Sequence, residues 1–152
     1  MKQMRINGGK SLTGTIKISG AKNSAVALVP AALLADGVVT IDNIPNISDI
    51  EALDEILKHL GAKTERKQEQ MIIDTTNITN KAIPENLSKK LRASYYFMGA
   101  LLARFKKVEI SFPGGCKIGK RPIDIHLFGF RKLGGTVNKK DDIYTITADN
   151  LI

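Results

Sequence analysis

The sequence is poor in the residues on which several protein classes depend. One cysteine among 152 residues permits no internal disulfide, which fits a reducing compartment and removes small secreted scaffolds from consideration. Tryptophan is absent and aromatic residues make up only 5% of the chain, so no platform for stacking nucleobases is visible. No apolar run approaches the roughly 20 residues of a membrane-spanning helix. The opening residues, MKQMRINGGK, lack the apolar core of a signal peptide. These absences lead to the expectation of a cytoplasmic protein with no membrane partner. What the chain does have is positive charge. Its 23 basic and 15 acidic residues give a net charge of +8, which favours anionic ligands without choosing among nucleic acid, lipid surface and phosphorylated metabolites. With 43% apolar and 25% charged residues, a chain of this length is expected to fold as one globular domain.

The densest chemistry lies in residues 113 to 126, PGGCKIGKRPIDIH. Gly114 and Gly115 allow the backbone to turn sharply and approach a ligand, which places Cys116 on an exposed loop. Lys117, Lys120 and Arg121 surround that thiol with positive charge, and nearby cations favour the reactive thiolate. Pro122 suits the first turn of a helix. There the N–H groups of Ile123 and Asp124, with the Arg121 guanidinium, could hold an anion. A lone structural cysteine in an ordinary basic loop is the competing reading.

Periodicity supplies the elements. Residues 4 to 18 read as two short strands around glycines, with alternation at Ile16 and Ile18. Residues 21 to 35, AKNSAVALVPAALLA, read as a helix that starts at Lys22 and Asn23 and kinks at Pro30. These two polar residues either cap the helix or offer an anion site at its N-terminus. Val38 to Ile41 reads as a strand. Ser48 and Glu51 have capping-box spacing and announce a helix that Gly61 ends. Residues 63 to 67 and 71 to 74 then form a hairpin around Gln68, Glu69 and Gln70. The second half follows the same order, with a helix opened by Pro84 and running through KKLRASYYFMGALLARF, a strand at 107 to 112, a helix marked by Ile123, Leu127 and Phe130, and a hairpin of 136 to 139 with 143 to 147.

This parallel is a duplication. ALLADGVVTIDNIP from Ala32 matches ALLARFKKVEISFP from Ala100 at an offset of 68, whereas Leu60-Gly61-Ala62 matches Leu133-Gly134-Gly135 at 73. The second copy therefore carries five extra residues, which the alignment places in the cysteine loop. An insertion confined to one copy of a scaffold is a natural place for function, although a tolerated surface insertion has the same appearance.

Three motifs, SGAKN (19 to 23), LRAS (91 to 94) and PGGCKIGKRPIDIH, in this order and spacing, resemble those of the UDP-N-acetylglucosamine 1-carboxyvinyltransferase family, the enolpyruvyl transferases of early peptidoglycan synthesis. The resemblance covers nearly the whole chain. It implies an α+β fold, the inside-out α/β barrel built from repeated βαβαββ units, of which two would be present here. Residues 1–21 would be strands belonging to a partner domain, 22–80 the first unit, and 81–152 the second unit with the cysteine loop. Family members are far longer, so the chain looks like an amino-terminal piece.

The roles implied are specific. Cys116 matches the family's reactive cysteine, which donates a proton, forms an adduct with phosphoenolpyruvate and is the fosfomycin target. Lys22 and Arg121 would hold the phosphate and carboxylate of phosphoenolpyruvate, and Asn23 would stand at its junction with the sugar nucleotide. Arg92, Arg121, Pro122, Ile123, Asp124 and Ile125 would contact UDP-N-acetylglucosamine, with His126 close by. No metal or cofactor is implied. The family's catalytic base, an aspartate, would lie beyond Ile152, so this chain alone is expected to be inactive and, with apolar faces uncovered, to self-associate. The alternatives are a shikimate-pathway enolpyruvyl transferase or RNA 3′-phosphate cyclase relative, neither expected to carry the cysteine loop, and a non-enzymatic basic module binding nucleic acid. The shortage of aromatics argues against the last.

Overall fold

Helix α2 (Ser48–Leu60) shows how the sequence builds the core. Its apolar residues recur every three or four positions, so Ile50, Leu53, Ile56, Leu57 and Leu60 are all fully buried. Gly61 ends it at φ 100°, in the left-handed region. In the computed structural model, which describes residues 3–114 and 122–151, α2 packs beside α1 (Lys22–Ala31) and over a three-stranded antiparallel sheet. That sheet has the order β1-β3-β2, from β1 (Val38–Ile41), β2 (Lys63–Lys67) and β3 (Gln70–Asp74). The second unit repeats the arrangement with α4 (Tyr96–Phe105), β4 (Lys107–Ser111), α5 (Asp124–Lys132), β5 (Thr136–Lys140) and β6 (Ile143–Thr147), in a sheet ordered β4-β6-β5. A short helix α3 (Glu85–Ser88) precedes α4. One apolar cluster runs through both units.

Strand pairing refines the internal alignment. β2 and β3 reappear as β5 and β6 at an offset of 73, residue for residue. Val38 faces Asp74 and Lys107 faces Thr147, however, so the first strands of the two sheets are 69 apart rather than 68. Shifting a strand by one residue moves every side chain to the other face. At 69 the apolar pairs Val39 and Val108, and Ile41 and Ile110, occupy the same face. One of the five extra residues thus precedes β4, and four follow it.

Three expectations are corrected. Residues 3–21 contain no helix or strand, and Met4, Ile6, Leu12, Ile16 and Ile18 are more than 80% exposed. A strand needs a neighbour to satisfy its backbone groups. In the second unit the corresponding leading strand shrinks to one parallel bridge, Ile83 with Ile110. The long helix expected after Pro84 is broken at residues 89–91, where Leu91 adopts extended dihedrals (φ −142°, ψ 126°) and is buried. A 3-10 turn, Arg92–Tyr95, then leads into α4. The capping box is not formed either: Ser48 is already inside α2, Ile47 occupies the cap position, and no side chain caps the helix.

The units are clasped by Arg104 of α4. Its guanidinium donates to Leu33 O at 2.9 Å, to Ala35 O, to Thr75 O at 3.2 Å and to Asp36 Oδ1 at 3.1 Å. The buried Thr75 hydroxyl lies 2.7 Å from Ala35 O and 2.9 Å from Gly37 O and accepts from the Gly37 N–H at 3.2 Å.

Candidate active site

The first turns of three helical segments meet at one cleft. Lys22 and Asn23 begin α1, Asp49 lies in the first turn of α2, and Arg92 begins the 3-10 turn before α4. Together with Val26, Leu91, Ala93, Tyr95 and Tyr96 they line a cavity of about 360 Å³. Its lining combines two cations, an amide and a carboxylate with aliphatic and phenolic groups. Neither Lys22 nor Asn23 caps α1: Ala21 occupies the cap position, with no side-chain hydrogen bond. The capping interpretation of that pair therefore falls. Lys22 instead forms an ion pair with Asp49 across the cavity.

The described residues on either side of Cys116 are held by specific contacts. On its leading side Pro113 is buried and the Gly114 N–H donates to Ser88 O at 3.1 Å. The same oxygen accepts the buried Ser94 hydroxyl at 3.0 Å. A Cβ on Gly114 would lie 2.1 Å from the Lys89 carbonyl oxygen, so no other residue fits there without backbone movement. On its trailing side the His126 ring sits 4.6 Å from the Tyr95 ring, tilted by 51°, and Tyr95 itself meets Tyr96 at 4.6 Å. Burial, foremost, raises the Tyr95 phenol above its ordinary value. The Tyr96 hydrogen bond and charge reinforce that shift, and Arg92 opposes it.

The expected site residues thus separate into groups. Lys22, Asn23 and Arg92 are brought together around the cavity. Pro122, Asp124, Ile125 and His126 are exposed at the start of α5, and of these His126 packs on Tyr95 of the cleft. Ile123 is 2% exposed, so its side chain serves the core and only its backbone remains for a ligand. Cys116 and Arg121 lie outside the described residues. Asp49, Tyr95 and Tyr96 were not anticipated. Two of the chain's three tyrosines beside LRAS were the available signal for the aromatic pair. Nothing local distinguished Asp49 from an ordinary first-turn acid.

Comparison with known proteins gives this cleft a context. The family described as EPSP synthase (3-phosphoshikimate 1-carboxyvinyltransferase) matches residues 6–148. UDP-N-acetylglucosamine 1-carboxyvinyltransferase 2 of Bacillus cereus (strain ZK / E33L) is 49% identical over 152 residues, covering 99% of this chain and 35% of that protein. UDP-N-acetylglucosamine 1-carboxyvinyltransferase 3 of Caldanaerobacter subterraneus subsp. tengcongensis is 50% identical over 151 residues, covering 99% and 36%. The crystal structure of the enolpyruvyl transferase NikO from Streptomyces tendae matches with a TM-score of 0.79 at 28% identity, covering 95% of this chain and 32% of that one. The chain therefore spans about a third of the length of the relatives it matches.

Proposed function

The chain belongs to the EPSP synthase family, and from that premise we propose that its cleft forms part of an enolpyruvyl transferase site. The reaction we assign moves the enolpyruvyl group of phosphoenolpyruvate to the 3-hydroxyl of UDP-N-acetylglucosamine and releases phosphate, the first committed step of peptidoglycan synthesis. The observation that carries this reading is the meeting of Lys22, Asn23 and Arg92 around one cavity. Cations positioned by helix starts suit a phosphorylated, carboxylated substrate and the charge that develops on its departing phosphate.

In this reading Lys22 and Arg121 hold phosphoenolpyruvate, Asn23 stands between the two substrates, and Arg92 with residues 121–126 receives the sugar nucleotide. Cys116 supplies the proton for the vinyl carbon. The base for the sugar hydroxyl comes from outside these 152 residues, so the chain by itself does not turn over. The setting is the cytoplasm, where a single thiol stays reduced. Titration with UDP-N-acetylglucosamine should shift the amide NMR signals around Arg92, whereas uridine should not. The absence of any shift would remove the functional reading. A phosphate-release assay with both substrates should show none. Release that requires both and disappears in Cys116→Ala would overturn the claim of inactivity.

A further inference from the structure

The ion pair between Lys22 and Asp49 has a role that the proposed reaction does not yet account for. Asp49 is the one carboxylate among the described residues lining the cleft. Its side chain is 19% exposed, against 56% for Lys22. A lysine that exposed, on a stem of four rotatable bonds, is costly to immobilise. Asp49 is the better fixed partner. It sits in the first turn of a 13-residue helix whose next residue, Ile50, is fully buried, and a carboxylate at a helix start is favoured by the peptide dipoles.

Resting on the functional reading above, we infer that Asp49 is a positioning residue, which holds the Lys22 ammonium over the cleft so that an anionic substrate meets a cation already in place. An ammonium has three donors. One suffices for Asp49, which leaves two for a phosphate or carboxylate oxygen. The opposing possibility is that Asp49 is only a competing counter-ion, which a substrate must displace. The two differ in sign. Removing a negative charge from beside an anion site strengthens binding on simple Coulomb grounds. A loss of affinity in the same variant, when it is folded, runs against that Coulomb effect and points to the lost placement of Lys22.

The test is titration of phosphoenolpyruvate into the full chain and its Asp49→Asn, Asp49→Glu, Lys22→Met and Asp141→Asn variants at constant ionic strength. Asp49→Asn is expected to bind about ten-fold more weakly despite the loss of a negative charge. Asp49→Glu should recover part of that loss, and Lys22→Met should lose binding. Asp141→Asn, at the remote β5–β6 turn, makes the same charge change and should bind no more weakly than the parent. Equal or tighter binding by Asp49→Asn would overturn the positioning role alone. No binding by the parent chain would overturn the functional reading and this inference with it. A measurement on the unmutated, ligand-free chain covers the case in which Asp49→Asn fails to fold. Protection of the Lys22 ε-ammonium protons from exchange, relative to other exposed lysines, supports the pairing, and equal exchange overturns it.

Discussion

Helices α2 and α5 occupy the same place in the two units but are buried to different depths. α2 buries Ile50, Ala52, Leu53, Ile56, Leu57 and Leu60. In α5 only Leu127 is buried, while Ile125 and Phe128, and Leu133 just after the helix, stand 77%, 58% and 45% exposed. The sheets beneath them do not share this contrast, because both central strands bury alternate residues, Met71 and Ile73 in β3 and Tyr144 and Ile146 in β6. The asymmetry therefore lies in what covers the outer face of the second helix. A duplicated sequence repeats secondary structure and register, whereas burial depends on neighbours that the repeat does not encode.

The contrast should be largest in the cores of the two helices. Leu53→Ala removes a fully buried side chain and should cost about 2–5 kcal/mol in urea-induced unfolding, with Leu127→Ala near or below the lower end of that range. Equal losses would show that α5 is packed as tightly as α2. The next difference is polar. Thr75 of the first unit corresponds to Ala148 of the second, so Thr75→Ala makes the units alike at the Arg104 clasp. It should cost about 1–3 kcal/mol, because the Gly37 N–H and nearby carbonyls lose a buried partner. A loss within error of zero would mean that Arg104 alone satisfies the node.

The exposed face of α5 should also make copies associate, and Phe128→Glu should lower the mass seen by light scattering. The driving force is apolar, so added salt should not dissociate the assembly. A monodisperse monomer would show that the open face is tolerated in water. The smallest difference concerns acid. Asp74, whose counterpart is Thr147, accepts from the Thr76 hydroxyl at 2.7 Å and its N–H at 3.0 Å. Those bonds, the hydroxyl's first, hold its pKa below the ordinary 3.8. A lowered folded-state pKa gives a contribution that is complete above the unfolded value and disappears as pH falls through the folded one. Amide exchange at the end of β3 should therefore rise below that pH more than at the end of β6, and Asp74→Asn should remove the difference.

Much of this architecture was legible in the chain. The bounds of β1, β2 and β6, the stop at Gly61 and the duplication itself follow from alternation, helical spacing and a glycine, all local signals. The strands expected in residues 4 to 18 rested on the same kind of signal: Ile16 and Ile18 alternate properly, but among the described residues no strand pairs with them. The break before Arg92 was hidden in a good helical pattern, and shows only in the extended backbone of the buried Leu91. The one-residue error in the first-strand offset arose because identical letters were aligned where the structure aligns apolar faces.

The sequence by itself determined α2, the strands of the two sheets to within a residue and the duplication, because each is set by residues a few positions apart, and its motifs marked Lys22, Asn23 and Arg92. Only the tertiary structure decided that these residues share a cleft, that Asp49 completes it and that Arg104 joins the units. Lys22 and Arg92 lie 70 positions apart and are brought together by the packing of α1 against α4. That proximity depends on burial and on matched donors and acceptors across the whole chain, which no local pattern records.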